Sequence, residues 1–162
     1  MPSRLTGAEP GQLFELRTAG NVVPEYLPHA GSSEMATIEY AVLRLRVSDI
    51  VVCGHSHCGA VTAMAAAGRG LSDMPALRSW FGLTGDADGD GLGSDPAVRA
   101  AGRRHVRAQL AELREYPFIR DRIAKGELGL RGWFFELDTG RVHTLECGPD
   151  AADASTAAFN FL

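Results

Sequence analysis

A histidine and a cysteine lie close together near the middle of the chain, at His55 and Cys58. The preceding residues 50–53 are β-branched or small and apolar without polar alternation, which is typical of a buried parallel strand. Residues 59–67 are rich in alanine and suit a helix, with Gly68 where a left-handed cap would end it. The sequence therefore predicts a strand, a turn and a helix, with His55 at the carboxyl end of the strand and Cys58 in the first helical turn.

These two side chains have the chemistry of half a zinc site, because imidazole and thiolate are donors that zinc prefers. A helix N-terminus favours the thiolate form of a cysteine. Ligands of open parallel sheets also bind outside the carboxyl ends of the strands. An isolated H-x-x-C spacing is nevertheless weak, and alone it favours a plain turn histidine and a small helix residue.

The length of 162 residues favours a single domain over residues 1–162. Twenty acidic and sixteen basic residues give a net charge of −4, and without a basic block this argues against nucleic acid or an anionic membrane as partner. Three cysteines, Cys53, Cys58 and Cys147, are an odd number that favours a reducing cytoplasm over a disulfide framework. No apolar run reaches the roughly 18 residues of a membrane-spanning helix.

The order of the elements predicts an α/β fold, a mostly parallel sheet flanked by helices. A short strand begins at Gln12 and ends at a turn at Gly20 and Asn21. A helix capped by Ser32 follows. Its apolar face is formed by four residues: Met35, Ile38, Val42 and Leu45.

The second half of the chain is predicted to hold a long helix from Pro96 and a hairpin turn at residues 138–140. The arginines of the helix are most simply a solvated face; they are Arg99, Arg103, Arg104 and Arg107. Asp86, Asp88 and Asp90 imitate a calcium loop, but Ala97 stands where its final glutamate belongs, so a solvated loop is favoured. Residues 148–162 are expected to form a poorly ordered tail unless their end docks.

Taken together, the segments resemble the β-class carbonic anhydrases over nearly the whole chain. The matching segments are residues 6–14, 16–21, 33–42, 50–60 and 126–133. In that family two cysteines and one histidine hold Zn²⁺, and water or an aspartate takes the fourth position. The resemblance implies that His55 and Cys58 are two of these ligands, and that Arg17 matches an arginine that helps to bind bicarbonate in some members. A structural salt bridge is the alternative role for Arg17.

The resemblance also implies a first ligand in a C-x-D-x-R motif, which this sequence does not contain. The family's catalytic aspartate and its arginine partner are absent with it, so no catalytic residue is assigned. We expect the N-terminal arm and first strand of the family fold to be missing, most simply because translation starts upstream of Met1; a decayed gene and a true truncated product are alternatives. His57 is the substitute ligand to test, ahead of Cys53 and Cys147.

The activity implied by the resemblance is the zinc-dependent, reversible hydration of carbon dioxide to bicarbonate in a homodimer or higher homo-oligomer. Two other hypotheses remain open at this point. In the first, the chain is a catalytically silent homologue that, if it acts at all, binds a full-length chain. In the second, it is a zinc-binding module that uses His57 and water.

Overall fold

A computed structural model describes residues 5–83, 95–146 and 160–161 of the chain. After a 3₁₀ turn at Ala19–Asn21, the elements in these residues are α1 (Ser33–Leu43), β1 (Asp49–His55), α2 (Gly59–Ala65), α3 (Pro75–Trp80), α4 (Asp95–Glu115), α5 (Pro117–Ala124), β2 (Gly129–Glu136), β3 (Arg141–Glu146) and β4 (Asn160–Phe161). The predicted α/β class, with a sheet flanked by helices, is confirmed.

The described strands form one mixed sheet in the order β1-β2-β3-β4. β1 pairs parallel with β2, and β2 pairs antiparallel with β3 through the predicted hairpin. β3 then pairs antiparallel with β4. The predicted parallel pairing is therefore confined to β1 and β2 among these strands, because a tight turn can join only antiparallel neighbours.

β1 is not buried on both faces, contrary to the sequence prediction. Val52 and Gly54 point into the protein, whereas Val51 is 39% exposed and His55 is exposed. The reason is that β1 lies at the edge of the described sheet and packs on one face against α4, where Val106 lies beneath Gly54. An unbroken run of β-branched residues does not distinguish this arrangement from a strand covered on both sides.

The strand predicted from Gln12 is not formed. Residues 13–18 have no regular secondary structure, and Leu13, Phe14 and Leu16 are between 40% and 49% exposed. Pattern alone cannot make a strand, because the backbone groups need a neighbouring strand to pair with. Within the described ranges, no strand pairs with this segment.

The helix predicted after Ser32 is confirmed. The Ser32 hydroxyl accepts a hydrogen bond from the Met35 amide at 3.2 Å, as an N-cap does. The assignment of Leu45 to the apolar face of this helix is wrong, since Leu45 lies beyond the end of α1 and is 46% exposed. The remaining face joins the main core, which contains Met35, Ile38, Val42, Val52, Val106, Leu110, Leu113, Tyr116, Ile119, Leu128 and Leu130.

Three sequence predictions fall on residues that the structure does not describe. The aspartates at positions 86, 88 and 90 lie outside the described residues, as does Cys147. Of the predicted tail at 148–162, only the backbone of Asn160–Phe161 is described, and it pairs with β3.

Candidate active site

The predicted strand, turn and helix are present around His55 and Cys58. β1 ends at His55, and Ser56 and His57 form the turn. Cys58 is the N-cap residue of α2, one position before the first helical turn in which it was predicted. We call residues 55–58 the Cys58 corner. His57 adopts a left-handed backbone conformation there, with φ 55°, which is uncommon for a residue with a side chain.

The hydrogen bonding of His55 suits a metal ligand. Its Nδ1 lies 2.8 Å from the carbonyl oxygen of Ser56, and a carbonyl can only accept, so Nδ1 carries the proton. This tautomer leaves the lone pair on Nε2, and a ligating histidine commonly donates its other ring N–H in the same way. Cys58 contributes a side chain that is largely covered, with 7% of its surface exposed.

The described residues do not complete a zinc site on their own. In catalytic zinc sites, three protein donors and a water or substrate surround the metal. Across residues 5–83 and 95–146, no group of three or more His, Cys, Asp or Glu side chains is placed to hold an ion. His55 and Cys58 have suitable chemistry, but two donors fall short of what a retained zinc ion needs.

The other predicted ligands and binding residues make contacts of a different kind. Cys53 is half-buried in β1, and burial raises the pKa of its thiol, which disfavours the thiolate that binds metal. Nε2 of His57 faces the carboxylate of Asp138. The guanidinium of Arg17 pairs with Glu15 at 2.9 Å, and both side chains lie on the surface.

Contacts from the end of β2 fasten the Cys58 corner to the β2–β3 hairpin. Ser56 is fully buried; its amide donates to the Phe135 carbonyl, and its hydroxyl accepts from the Leu137 amide, each at 2.9 Å. His57 Nε2 lies 2.9 and 3.1 Å from the two carboxylate oxygens of Asp138. The hydrogen bond from His57 is the largest influence that lowers the pKa of Asp138, and the Arg99 guanidinium 2.5 Å away also lowers it.

Beside this contact, two arginines of α4 and a histidine of β3 surround the Glu136 carboxylate. Arg103 lies 3.0 Å from its carboxylate, Arg99 3.7 Å and His143 3.3 Å. Burial, the largest single influence, would raise the pKa of Glu136, but His143, Arg99 and Arg103 together hold it below its usual range. Arg103 also lies over the Phe134 ring, 5.3 Å from its centroid.

The arginines of α4 are therefore not simply a solvated face, contrary to the sequence prediction. Arg104 is exposed, whereas Arg99, Arg103 and Arg107 are half-buried. Sequence reasoning also missed Ser56, Asp138 and Glu136. Residues 138–140 gave only a turn signal, and the partners of Asp138 lie 81 residues away at His57 and 39 residues away at Arg99, so no local pattern identified them.

The turn at Ala19–Asn21 is brought beside α2, close to the Cys58 corner. The Ala19 carbonyl accepts from the Trp80 indole at 2.9 Å, and the Gly20 carbonyl lies 2.6 Å from His105 Nε2. Gly20 has φ 68°, and a side chain there would come within 3.1 Å of Ala60. The predicted role of Gly20 and Asn21 in a turn is thus confirmed, while Arg17 itself is directed to Glu15.

A helix-flanked sheet with an imidazole and a thiol at the carboxyl end of a parallel strand defines an α/β protein with a histidine–cysteine site. The family described as "Carbonic anhydrase" matches residues 1–142. Because this match covers most of the chain, the chain belongs to that family, and the solved structures that it resembles place it in the β class.

Individual relatives agree with this assignment. The chain is 41% identical over 151 residues to the carbonic anhydrase of Pseudomonas aeruginosa, a match covering 90% of this chain and 68% of the relative. It is 42% identical over 132 residues to carbonic anhydrase 1 of Escherichia coli O157:H7, covering 78% of this chain and 59% of that protein.

Solved structures give the same result. The β-carbonic anhydrase CcaA superposes with a TM-score of 0.78 at 31% identity, covering 90% of this chain and 73% of the other. One of two tetrameric β-carbonic anhydrases from Sordaria macrospora gives a TM-score of 0.70 at 30% identity, covering 90% and 74%.

Proposed function

We propose that this chain catalyses the reversible hydration of carbon dioxide to bicarbonate with Zn²⁺ as cofactor. The observation that carries the proposal is the Cys58 corner, where a histidine in the ligand tautomer stands three residues from a cysteine in a chain of the carbonic anhydrase family. The match covers 68% and 59% of the two relatives, and the activity named for those longer proteins supports the proposal.

In this proposal, His55 binds zinc through Nε2 and Cys58 through Sγ. Zinc would supply a hydroxide at neutral pH, since a bound water has its pKa lowered to about 7. A third donor is still needed, because no three donors among the described residues are placed together to hold an ion. The contribution of His55 is a lone pair directed by its bond to Ser56.

A silent homologue that binds a full-length chain is the second candidate. It is favoured by the same two-donor site. It is also favoured by the ion pair between Arg17 and Glu15, because the arginine predicted to bind bicarbonate already pairs with a neighbouring carboxylate. A chain of this kind would keep the fold and lack the retained metal.

The deciding experiment measures zinc per chain by elemental analysis on monodisperse protein, together with stopped-flow carbon dioxide hydration. We expect about one zinc per chain and a rate that His55→Ala abolishes. His29→Ala, which changes an exposed histidine of a loop, is the matched control and should leave both unchanged. Zinc near zero with no hydration above buffer would contradict the enzyme proposal and support the silent homologue. Zinc retained in His57→Ala would exclude His57 as the substitute ligand.

We also propose a homodimer or larger homo-oligomer in the cytoplasm. Support for assembly comes from the Sordaria structures, which are described as tetrameric, and from exposed apolar side chains such as Phe14, Tyr40 and Leu43. Within the described part of the chain no helix is long and apolar enough to cross a membrane. Light scattering after size-exclusion chromatography tests the assembly, and a monomer of 17.3 kDa would contradict it. Cell fractionation tests the location.

A further inference from the structure

The side chain of Asp138, in the turn between β2 and β3, contacts His57 of the Cys58 corner. The carboxylate of Asp138 accepts from His57 Nε2, which lies close to both of its oxygens, and its Oδ2 also accepts from Arg99 of α4. Three separate elements, the corner, α4 and the hairpin, thus meet at one carboxylate. His57 stands between the two proposed ligands, so whatever fixes His57 also fixes the backbone that aims His55 and Cys58.

The backbone at His57 needs such support. Its φ of 55° lies in the left-handed region, where a residue other than glycine costs about 1 kcal/mol or more unless its surroundings hold it. Ser56 fastens the turn from one side through Phe135 and Leu137. The Asp138 contact fastens it from the other side, through the side chain of the strained residue.

We propose that Asp138 is a positioning residue for the Cys58 corner, acting through His57 and held in place by Arg99. The inference rests on the proposed function only in that this corner is the active site. Asp138 does not touch the reacting atoms in this account. It limits the opening of the turn, so that Cys58 stays covered and aligned with His55.

The test is the alkylation rate of Cys58 by iodoacetamide, measured without zinc or carbon dioxide and resolved from Cys53 by fragment-ion mass spectrometry. Alkylation of a covered thiol requires local opening, so its rate reports how often the corner opens. In Asp138→Asn we expect Cys58 to react roughly two to five times faster, the range that loss of one exposed ion pair produces. The rate of Cys53, half-buried in the neighbouring strand, should not change.

The matched control is Asp49→Asn. Asp49 makes an equivalent ion pair with Arg131 at 2.8 Å, at the opposite end of β1. Losing it removes the same charge and the same type of contact, and the Cys58 rate should stay at the wild-type value. A rise of equal size in Asp49→Asn, or a parallel rise of Cys53 in Asp138→Asn, would show general loosening of the fold and overturn the proposal.

A double-mutant cycle separates positioning from a merely structural role. Glycine adopts the left-handed region without strain, and His57→Gly also removes the imidazole. In that background, Asp138→Asn should leave the Cys58 rate unchanged; an effect as large as in the wild type would mean that Asp138 does not act through His57. Arg99→Gln is the second variant, expected to raise the Cys58 rate in the same direction, and an unchanged rate would contradict the role of Arg99.

The outcome of the alkylation experiment does not depend on whether the proposed function is correct. Failure of the chain to hold zinc or hydrate carbon dioxide would leave the alkylation result intact. Equally, an unchanged Cys58 rate in Asp138→Asn would reject the positioning role in a protein that still hydrates carbon dioxide.

Discussion

Arg122 shows how one buried side chain joins several parts of the fold. Its guanidinium, on α5, donates to the carbonyls of Val42 at 2.9 Å, Val47 at 3.1 Å and Glu127 at 2.9 Å. Val42 is in the last turn of α1, where carbonyls lack partners within the helix. A positive charge at this position also suits the negative end of the helix dipole.

We predict that Arg122→Met lowers the free energy of unfolding by about 2–4 kcal/mol, because buried carbonyls lose their charged donor. Urea denaturation followed by circular dichroism measures this loss. Arg120→Met, at an exposed position of the same helix, is the control and should change stability by less than about 0.5 kcal/mol. Equal effects of the two substitutions would show that the buried hydrogen bonds contribute nothing specific.

The buried side chain of Tyr116 is expected to lower the stability of the fold at alkaline pH. Its ring is fully buried, and its hydroxyl donates to the Pro24 carbonyl at 2.8 Å. Burial is the largest influence raising the pKa of Tyr116 to about 12. Because the folded state holds the proton more tightly than the unfolded chain, this contribution to stability is complete below pH 10 and is lost as the pH rises towards 12. In Tyr116→Phe, the decline in stability between pH 10 and 12 should be shallower than in the wild type.

Urea denaturation across that pH range checks the Tyr116 prediction. Tyr40→Phe, at a position 53% exposed, should keep the wild-type slope. If stability declined as steeply between pH 10 and 12 in Tyr116→Phe as in the wild type, ionisation of Tyr116 would not be the cause of that decline.

At the scale of elements, the approach of α4 to the sheet depends on two glycines. A side chain at Gly54 of β1 would come within 2.6 Å of Val106, and one at Gly102 of α4 would come within 2.8 Å of the Phe134 ring. Gly54 directly precedes His55 of the Cys58 corner, and Phe134 pairs with Gly54 in the sheet. The absence of two Cβ atoms therefore lets the helix pack close enough for Arg99 to reach Asp138.

We predict that Gly54→Ala lowers the free energy of unfolding by about 1–3 kcal/mol through overpacking. Combining it with Val106→Ala, which removes the clashing methyl groups, should cost less than the sum of the two single substitutions. The double-mutant cycle, measured by thermal or urea unfolding, isolates this coupling. Additive effects would contradict the direct contact.

The elements that sequence predicted well are those specified by neighbours along the chain. The N-cap at Ser32, the corner at His55 and Cys58 and the hairpin at 138–140 all depend on residues within a few positions. The errors concern distant partners: among the described residues no strand pairs with the segment after Gln12, and Arg103 meets Glu136 from 33 residues away. The strand, turn and helix that carry His55 and Cys58 were predictable from the local sequence, whereas the contacts that hold them in place were not.

The whole molecule is predicted to lose stability at acid pH through its paired carboxylates. The pKa of Asp49 is lowered chiefly by its hydrogen bond from Arg131, and that of Asp138 by its hydrogen bond from His57. Glu136 also has a lowered pKa despite its burial, owing to His143, Arg99 and Arg103. A carboxylate with a lowered pKa stabilises the fold above its ordinary value, and this contribution disappears as the pH falls through the folded value.

Glu136 offers the clearest test, since it joins α4 to both strands of the hairpin. At pH 7, Glu136→Gln should lower the free energy of unfolding by about 1–3 kcal/mol, because two arginines lose the largely buried negative charge that they pair with. The difference from the wild type should shrink as the pH falls below 4.5, the ordinary pKa of a glutamate, since the wild-type carboxylate then gains a proton and becomes similar to the amide. Urea midpoints of both proteins between pH 3 and 7 measure this convergence, with the exposed Glu39→Gln as control. A constant gap over that range would mean that packing of the side chain, and not its charge, holds α4 against the hairpin.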